Sequence, residues 1–181
     1  MTHFDGHEHV WLFGYGSLIY KADFPYVERR PASIDGWVRR FWQGSHDHRG
    51  TPAAPGRVVT LIPQSGSICH GMGYRITPQT LDQLDVREKN GYLRVITALT
   101  LDDERQVEGL VYIATEENAA FLGHASDSEI AAHIARSAGP SGPNRDYLLQ
   151  LAQALREMQA DDPHVFAIER ALMARPPTSA K

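Results

Sequence analysis

Val10-Trp11-Leu12-Phe13-Gly14-Tyr15-Gly16-Ser17-Leu18-Ile19 is an apolar run stopped abruptly by two glycines around one tyrosine. Its β-branched and aromatic residues predict a strand over 10–15 that leaves directly into a tight loop. Glycines there permit positive φ and close backbone approach, so successive N–H groups can converge on an anion or a polarised carbonyl. The same spacing also suits an ordinary glycine turn. It does not fit a dinucleotide fingerprint, because position 19 is Ile where G-x-G-x-x-G needs glycine, and no Gly-Lys-Ser/Thr follows to make a P-loop.

Working outward, further apolar runs bounded by turn residues predict strands over 36–42, 57–62, 68–76, 92–101 and 107–115. Six strands at this density suggest a barrel or a strongly curved sheet. Helical signals interleave and then dominate the end. Thr77-Pro78 pairs an N-cap with proline at the first helical position, opening a short helix through Leu81 and Leu84. Ser126 and Glu129 have capping-box spacing ahead of Ile130, Ile134 and Ala138. Tyr147, Leu148, Leu151, Leu155 and Met158 form one apolar helix face, and Val165, Ile168 and Leu172 another. The expected fold class is α+β, in one domain over 10–175. Residues 1–9 read as a flexible tail and 176–181 as a loose one.

The chain has 181 residues, a formal net charge of −4, 42% hydrophobic and 22% charged side chains. That composition excludes collagen, coiled coil and wholesale disorder, and its acidic balance gives no reason to expect nucleic acid or an anionic membrane as partner. Cys69 is the only cysteine, which excludes an intrachain disulfide and a thiolate zinc site. The apolar stretch at 10–13 is far too short for a signal-peptide core or a membrane span, so a cytoplasmic location is expected. No metal site is expected: His3, His7 and His9 lie in a tail without a supporting shell, and His46-Asp47-His48 has no further clustered ligand.

Two more stretches carry chemistry. Arg87-Glu88-Lys89-Asn90-Gly91-Tyr92 lies between a short helix and a strand, where an Asn-Gly turn would hold Glu88 at an element boundary. It reads either as a solvated charged turn or as the seat of a catalytic carboxylate. Arg39-Arg40-Phe41-Trp42-Gln43-Gly44-Ser45-His46-Asp47-His48-Arg49-Gly50 mixes arginines and aromatics, which suits stacking on nucleic acid or a bidentate grip on a carboxylate. Tyr74, Tyr92, Tyr112 and Tyr147 suit either a core position with a wet end or a hydrogen bond to a ligand.

These stretches together resemble the ChaC-like family, the glutathione-specific γ-glutamylcyclotransferases, in order and spacing. So do Pro-Gly-Arg-Val-Val-Thr-Leu61, Phe121-Leu-Gly123 and Ala138-Gly-Pro-Ser-Gly-Pro-Asn-Arg-Asp-Tyr147, and the similarity runs from about Val10 to Arg170. The resemblance implies a γ-glutamylcyclotransferase-like fold: a small mixed β-barrel flanked by helices, with the pocket at its mouth. It implies conversion of glutathione to 5-oxo-L-proline and L-cysteinylglycine without a cofactor. Glu88 matches the catalytic glutamate of the family's Arg-Glu-Lys-Gly-Gly-Tyr motif, and Leu12, Phe13, Gly14, Tyr15, Gly16, Ser17 and Leu18 match its substrate-binding loop. Asn90 stands where the family usually has Gly, and His46 where it usually has Thr; Asn tolerates left-handed backbone, so the first change preserves the turn.

Under that reaction Glu88 is expected to be partly buried, with a pKa that is raised if Arg87 and Lys89 point away and so suits it to be the general base. Backbone N–H groups around Gly16 to Leu18 are the natural oxyanion donors. Tyr15 and Tyr92 are expected to orient the γ-glutamyl end, Tyr147 to line the pocket, and Arg39, Arg40 or Arg49 to pair with the glycine carboxylate of the substrate. Two other readings compete: a cyclotransferase for other γ-glutamyl amino acids or amines, and a non-catalytic barrel that binds a peptide or single-stranded nucleic acid through the Arg/Phe/Trp strip.

Overall fold

A computed structural model describes residues 8–87 and 91–175. The expected N-terminal tail, apart from its last two residues, and the expected loose end at 176–181 lie outside them. The chain begins with β1 (Val10–Gly14) and a short helix α1 (Ser17–Tyr20), followed by two long strands, β2 (Glu28–Ser45) and β3 (Gly56–Ile76). Next come α2 (Pro78–Arg87), β4 (Leu93–Leu101) and β5 (Gln106–Ile113). The remainder holds α3 (Asp127–Ala135), the two-residue strands β6 (Ala138–Gly139) and β7 (Gly142–Pro143), α4 (Asn144–Glu157) and α5 (Pro163–Met173). No helix among the described residues is long and apolar enough to cross a membrane.

The five larger strands close a barrel in the order β1-β3-β2-β4-β5. β1 runs antiparallel to β3, from Val10 opposite Ile76 to Gly14 opposite Met72. Its other edge lies parallel to β5, with Trp11 opposite Gly109 and Leu12 opposite Leu110. Paired on both edges, β1 is buried along its whole length, which is why it reads as a continuous apolar run instead of an alternating one. β4 and β5 form an antiparallel hairpin from Leu93 opposite Ile113 to Thr100 opposite Gln106.

The barrel therefore has five strands where the sequence suggests six. The candidates at 57–62 and 68–76 belong to the single strand β3, and Gly66, at φ 84°, carries the extended chain through the turn-like residues between them. β2 is likewise far longer than the 36–42 expected of it.

The chain forms two compact units, Met1–Arg39 with Thr60–Phe121 and Arg40–Val59 with Leu122–Lys181. The first has Leu12, Phe13, Tyr74, Ile76 and Leu110 fully buried. The second buries the stripes of α3, α4 and α5, including Ile134, Leu148, Leu151 and Ile168. The expected caps are in place: Thr77 Oγ1 accepts from the Thr80 N–H at 3.2 Å, and Ser126 Oγ from the Glu129 N–H at 3.1 Å. Asp162 caps α5 in the same way through Val165, with Pro163 at its first position.

Candidate active site

The loop that joins β1 to α1 is shaped by crowding, not by left-handed glycine. Neither Gly14 nor Gly16 has positive φ; Gly16 sits at φ −129°, ψ −124°. A Cβ at Gly14 would stand 2.6 Å from the Cβ of Leu18, and one at Gly71 on β3 would stand 2.3 Å from the Gly14 carbonyl oxygen. The chain can fold back this tightly only because both side chains are absent.

Donors then tie down the carbonyls of the loop. Arg39, only 3% exposed, donates from Nε to the Tyr15 carbonyl at 2.7 Å and from Nη2 to the His70 carbonyl. The Tyr74 hydroxyl donates to the Leu18 carbonyl, and Arg29 donates to the Ile19 carbonyl at 3.0 Å and to the Tyr74 hydroxyl at 3.3 Å. Burial pushes the Tyr74 hydroxyl above the usual phenol range, so it stays a donor at neutral pH. The Tyr15 hydroxyl donates to the Tyr112 carbonyl at 2.6 Å. With these acceptors occupied, the N–H groups of Ser17 and Leu18 open the first turn of α1, where a helix supplies no acceptor of its own. Ser17 is exposed and Leu18 half-buried. A donor edge of this kind can seat an oxygen that gains negative charge.

Residues 10–175 match the ChaC-like protein family. This chain belongs to the ChaC-like family. It is 44% identical over 179 residues to glutathione-specific γ-glutamylcyclotransferase 1 of Danio rerio, covering 93% of this chain and 91% of that protein. It is 38% identical to the glutathione-specific γ-glutamylcyclotransferase of Saccharomyces cerevisiae over 82% of this chain and 86% of that one. A crystal structure of a γ-glutamyl cyclotransferase specific to glutathione from yeast superposes with a TM-score of 0.84 at 35% identity, covering 92% of this chain and 96% of that one. The γ-glutamylcyclotransferase-like barrel with flanking helices is thus the fold of this ChaC-like chain.

Within the ChaC-like loop, Leu12, Phe13 and Tyr15 are buried, so of the expected loop residues Ser17 and Leu18 are the ones with substantial exposed surface. Glu88, with Lys89 and Asn90, lies outside the described residues, as does the expectation that Glu88 is partly buried. The residue after them, Gly91, takes the left-handed turn at φ 84°, a place where glycine meets no penalty. Tyr92, half-buried, leads from that turn into β4.

The second unit holds the other expected residues. Arg40 is half-buried on β2. Arg49 donates from Nη1 to the carbonyls of Ser141 at 2.9 Å and Pro143 at 3.2 Å, with its guanidinium 5.9 Å from the Tyr147 ring centroid. Tyr147, 6% exposed, accepts at its hydroxyl from the Val59 N–H at 3.2 Å and packs edge-on to Phe41. Asn144, fully buried, accepts from the Arg57 N–H and donates to the Arg57 carbonyl, both at 2.8 Å. The Gly-Pro-Ser-Gly-Pro-Asn stretch thus spends its polar groups within its own unit, Asn144 on the main chain of Arg57, Ser141 Oγ on His48 Nδ1, and the Ser141 and Pro143 carbonyls on Arg49. No group of three or more metal-ligating side chains gathers among the described residues.

Of the residues that fix the loop, sequence reasoning misses Arg29, and it singles out Tyr74 and Tyr112 as core or ligand-bonding tyrosines without showing that the loop is their partner. It offers Arg39 as a substrate ligand, whereas that guanidinium is committed to main-chain carbonyls. A charged residue inside an apolar strand is the one signal that points to it, because a buried guanidinium must find acceptors.

Proposed function

We propose that this chain converts glutathione to 5-oxo-L-proline and L-cysteinylglycine. The observation that carries the reading is 44% identity, over nine-tenths of the chain, to a relative named for that specificity, joined to a loop whose Tyr15, Leu18 and Ile19 carbonyls accept from internal donors. A cyclotransferase for other γ-glutamyl compounds would share the loop and differ at the far end of the substrate.

The γ-glutamyl group carries its own nucleophile. Its α-amine attacks the γ-carbonyl carbon, a C–N bond closes the five-membered lactam, and the bond to the cysteinyl nitrogen breaks. Attack is intramolecular, so holding the substrate curled supplies much of the rate and no covalent enzyme nucleophile is needed. The α-ammonium loses two protons in becoming the lactam N–H, and the leaving nitrogen gains two in becoming an ammonium. A carboxylate that takes a proton and returns it therefore balances the reaction.

Glu88 is assigned that role. An amine with pKa near 8 and an ordinary glutamate near 4.3 are mismatched by about 4 units, or roughly 5 kcal/mol, a gap that burial of the carboxylate would narrow. The N–H groups of Ser17 and Leu18 are assigned to the developing oxyanion, with Gly14, Tyr15 and Gly16 shaping the seat. Tyr92 is assigned to the γ-glutamyl end. No cofactor, nucleic acid or membrane enters this scheme, and the lone Cys69 suits a cytoplasmic setting.

Purified protein with millimolar glutathione, γ-glutamyl-alanine or a γ-glutamyl amine, read for 5-oxoproline by mass spectrometry, tests the substrate assignment. Product from glutathione well above the others is expected. Product only from the others would replace the substrate, and none from any would end the catalytic reading.

A further inference from the structure

Tyr112, on β5, joins two segments that the sequence keeps far apart. Its carbonyl accepts from the hydroxyl of Tyr15 in the loop, and its own hydroxyl donates to the carboxylate of Asp85 in the last turn of α2. The other oxygen of Asp85 accepts from Arg94 on β4 at 3.0 Å. The pair Arg94 opposite Tyr112 is a register pair of the β4–β5 hairpin, so one carboxylate clamps the end of α2 to two adjacent strands. All four residues belong to the first unit.

We propose that Asp85 and the Tyr112 hydroxyl are positioning residues for the cyclisation. They fix the end of α2, from which Glu88 follows one residue after Arg87, relative to the strand that holds Tyr15. This inference rests on the assignment of Glu88 as the base. The cluster is a poor candidate for a stability device alone: the Asp85 and Arg94 side chains are 28% and 30% exposed, and an ion pair that open to water contributes little to folding. Aligning a base with its proton is more demanding, since a displacement of the order of 1 Å can cost a large factor in rate.

Asp85→Asn and Tyr112→Phe keep shape and volume while removing the charge and the hydroxyl. Each is expected to lower kcat about tenfold with KM changed less than about twofold, because a base is used in the transition state and not in binding. The double variant is expected to be no worse than the poorer single one, as one linkage is broken once. The kcat values are referred to folded protein, from the thermal transition of each variant, and Glu88→Gln is run beside them. Wild-type kcat in both singles next to an inactive Glu88→Gln would overturn the positioning role alone. A fully active Glu88→Gln would overturn the base assignment on which it rests. Multiplicative losses in the double variant, a change in KM without kcat, or a loss accounted for by unfolded protein would each overturn the linkage.

Discussion

Gly14 sits where a methyl group has no room, 2.6 Å from the Cβ of Leu18. Gly14→Ala must push the start of α1 away from β1, and overpacking of this kind costs about 1–3 kcal/mol. The displaced Leu18 takes its N–H with it, so the variant is expected to lose most cyclotransferase activity while it still melts cooperatively, as thermal denaturation beside the product assay would show. A variant with full activity would mean that the loop's close approach has no part in the reaction. The glycines themselves are legible in the sequence, but their reason is not. Spacing suggests left-handed backbone, whereas the cause is the packing of a side chain four residues on and of β3 across the barrel. Nor does any local pattern show that Arg39, twenty-four residues from Tyr15, spends its guanidinium on that residue's carbonyl.

At the scale of elements, caps and apolar stripes were readable because they are local: Thr77, Ser126 and the stripes of α4 and α5 lie within one turn of what they serve. The joining of 57–62 and 68–76 into β3 was not, since only pairing with neighbouring strands decides whether a polar interruption ends a strand. The start of α4 shows the same limit. Asn144 acts there as a surrogate strand neighbour, holding both the N–H and the carbonyl of Arg57 in a fully buried place. Asn144→Ala strands both groups and is expected to cost about 3 kcal/mol. That corresponds to a fall in Tm of roughly 10 °C for a chain of this size, measurable by calorimetry. A change below about 2 °C would mean that water or a rearranged main chain replaces the side chain without cost.

At the scale of the whole molecule, acid acts on two clusters among the described residues. In the second unit, His133 donates from Nε2 to the Pro55 carbonyl at 2.7 Å and accepts at Nδ1 from Arg57 Nε at 3.3 Å, a neutral tautomer set by its partners. Burial, then the charges of Arg57 and Arg136, hold its pKa below the ordinary 6.5, against the opposing pull of the Pro55 carbonyl. The folded state therefore binds fewer protons than the unfolded one, so this stability is present above pH 6.5 and is lost as pH falls below it. In the first unit, hydrogen bonds from Arg30 and Arg105 hold Glu28 at about 2, against the opposing effect of its burial. Its contribution is present above about 4.5, the ordinary value, and is lost as pH falls toward 2. Residue-resolved amide exchange is expected to lose protection first in α3 and around Arg57, below pH 6.5, and around Glu28 only below about 4.5. The reverse order would contradict both assignments.

The most direct test of the proposed reaction is the release of 5-oxoproline from millimolar glutathione by wild type and by Glu88→Gln, followed by mass spectrometry. Product from wild type and a loss of at least about a hundredfold in the variant are expected, since a positioned acid–base group contributes 10²–10⁴-fold. Equal product from both would contradict the role of Glu88, and with it the mechanism built on this carboxylate.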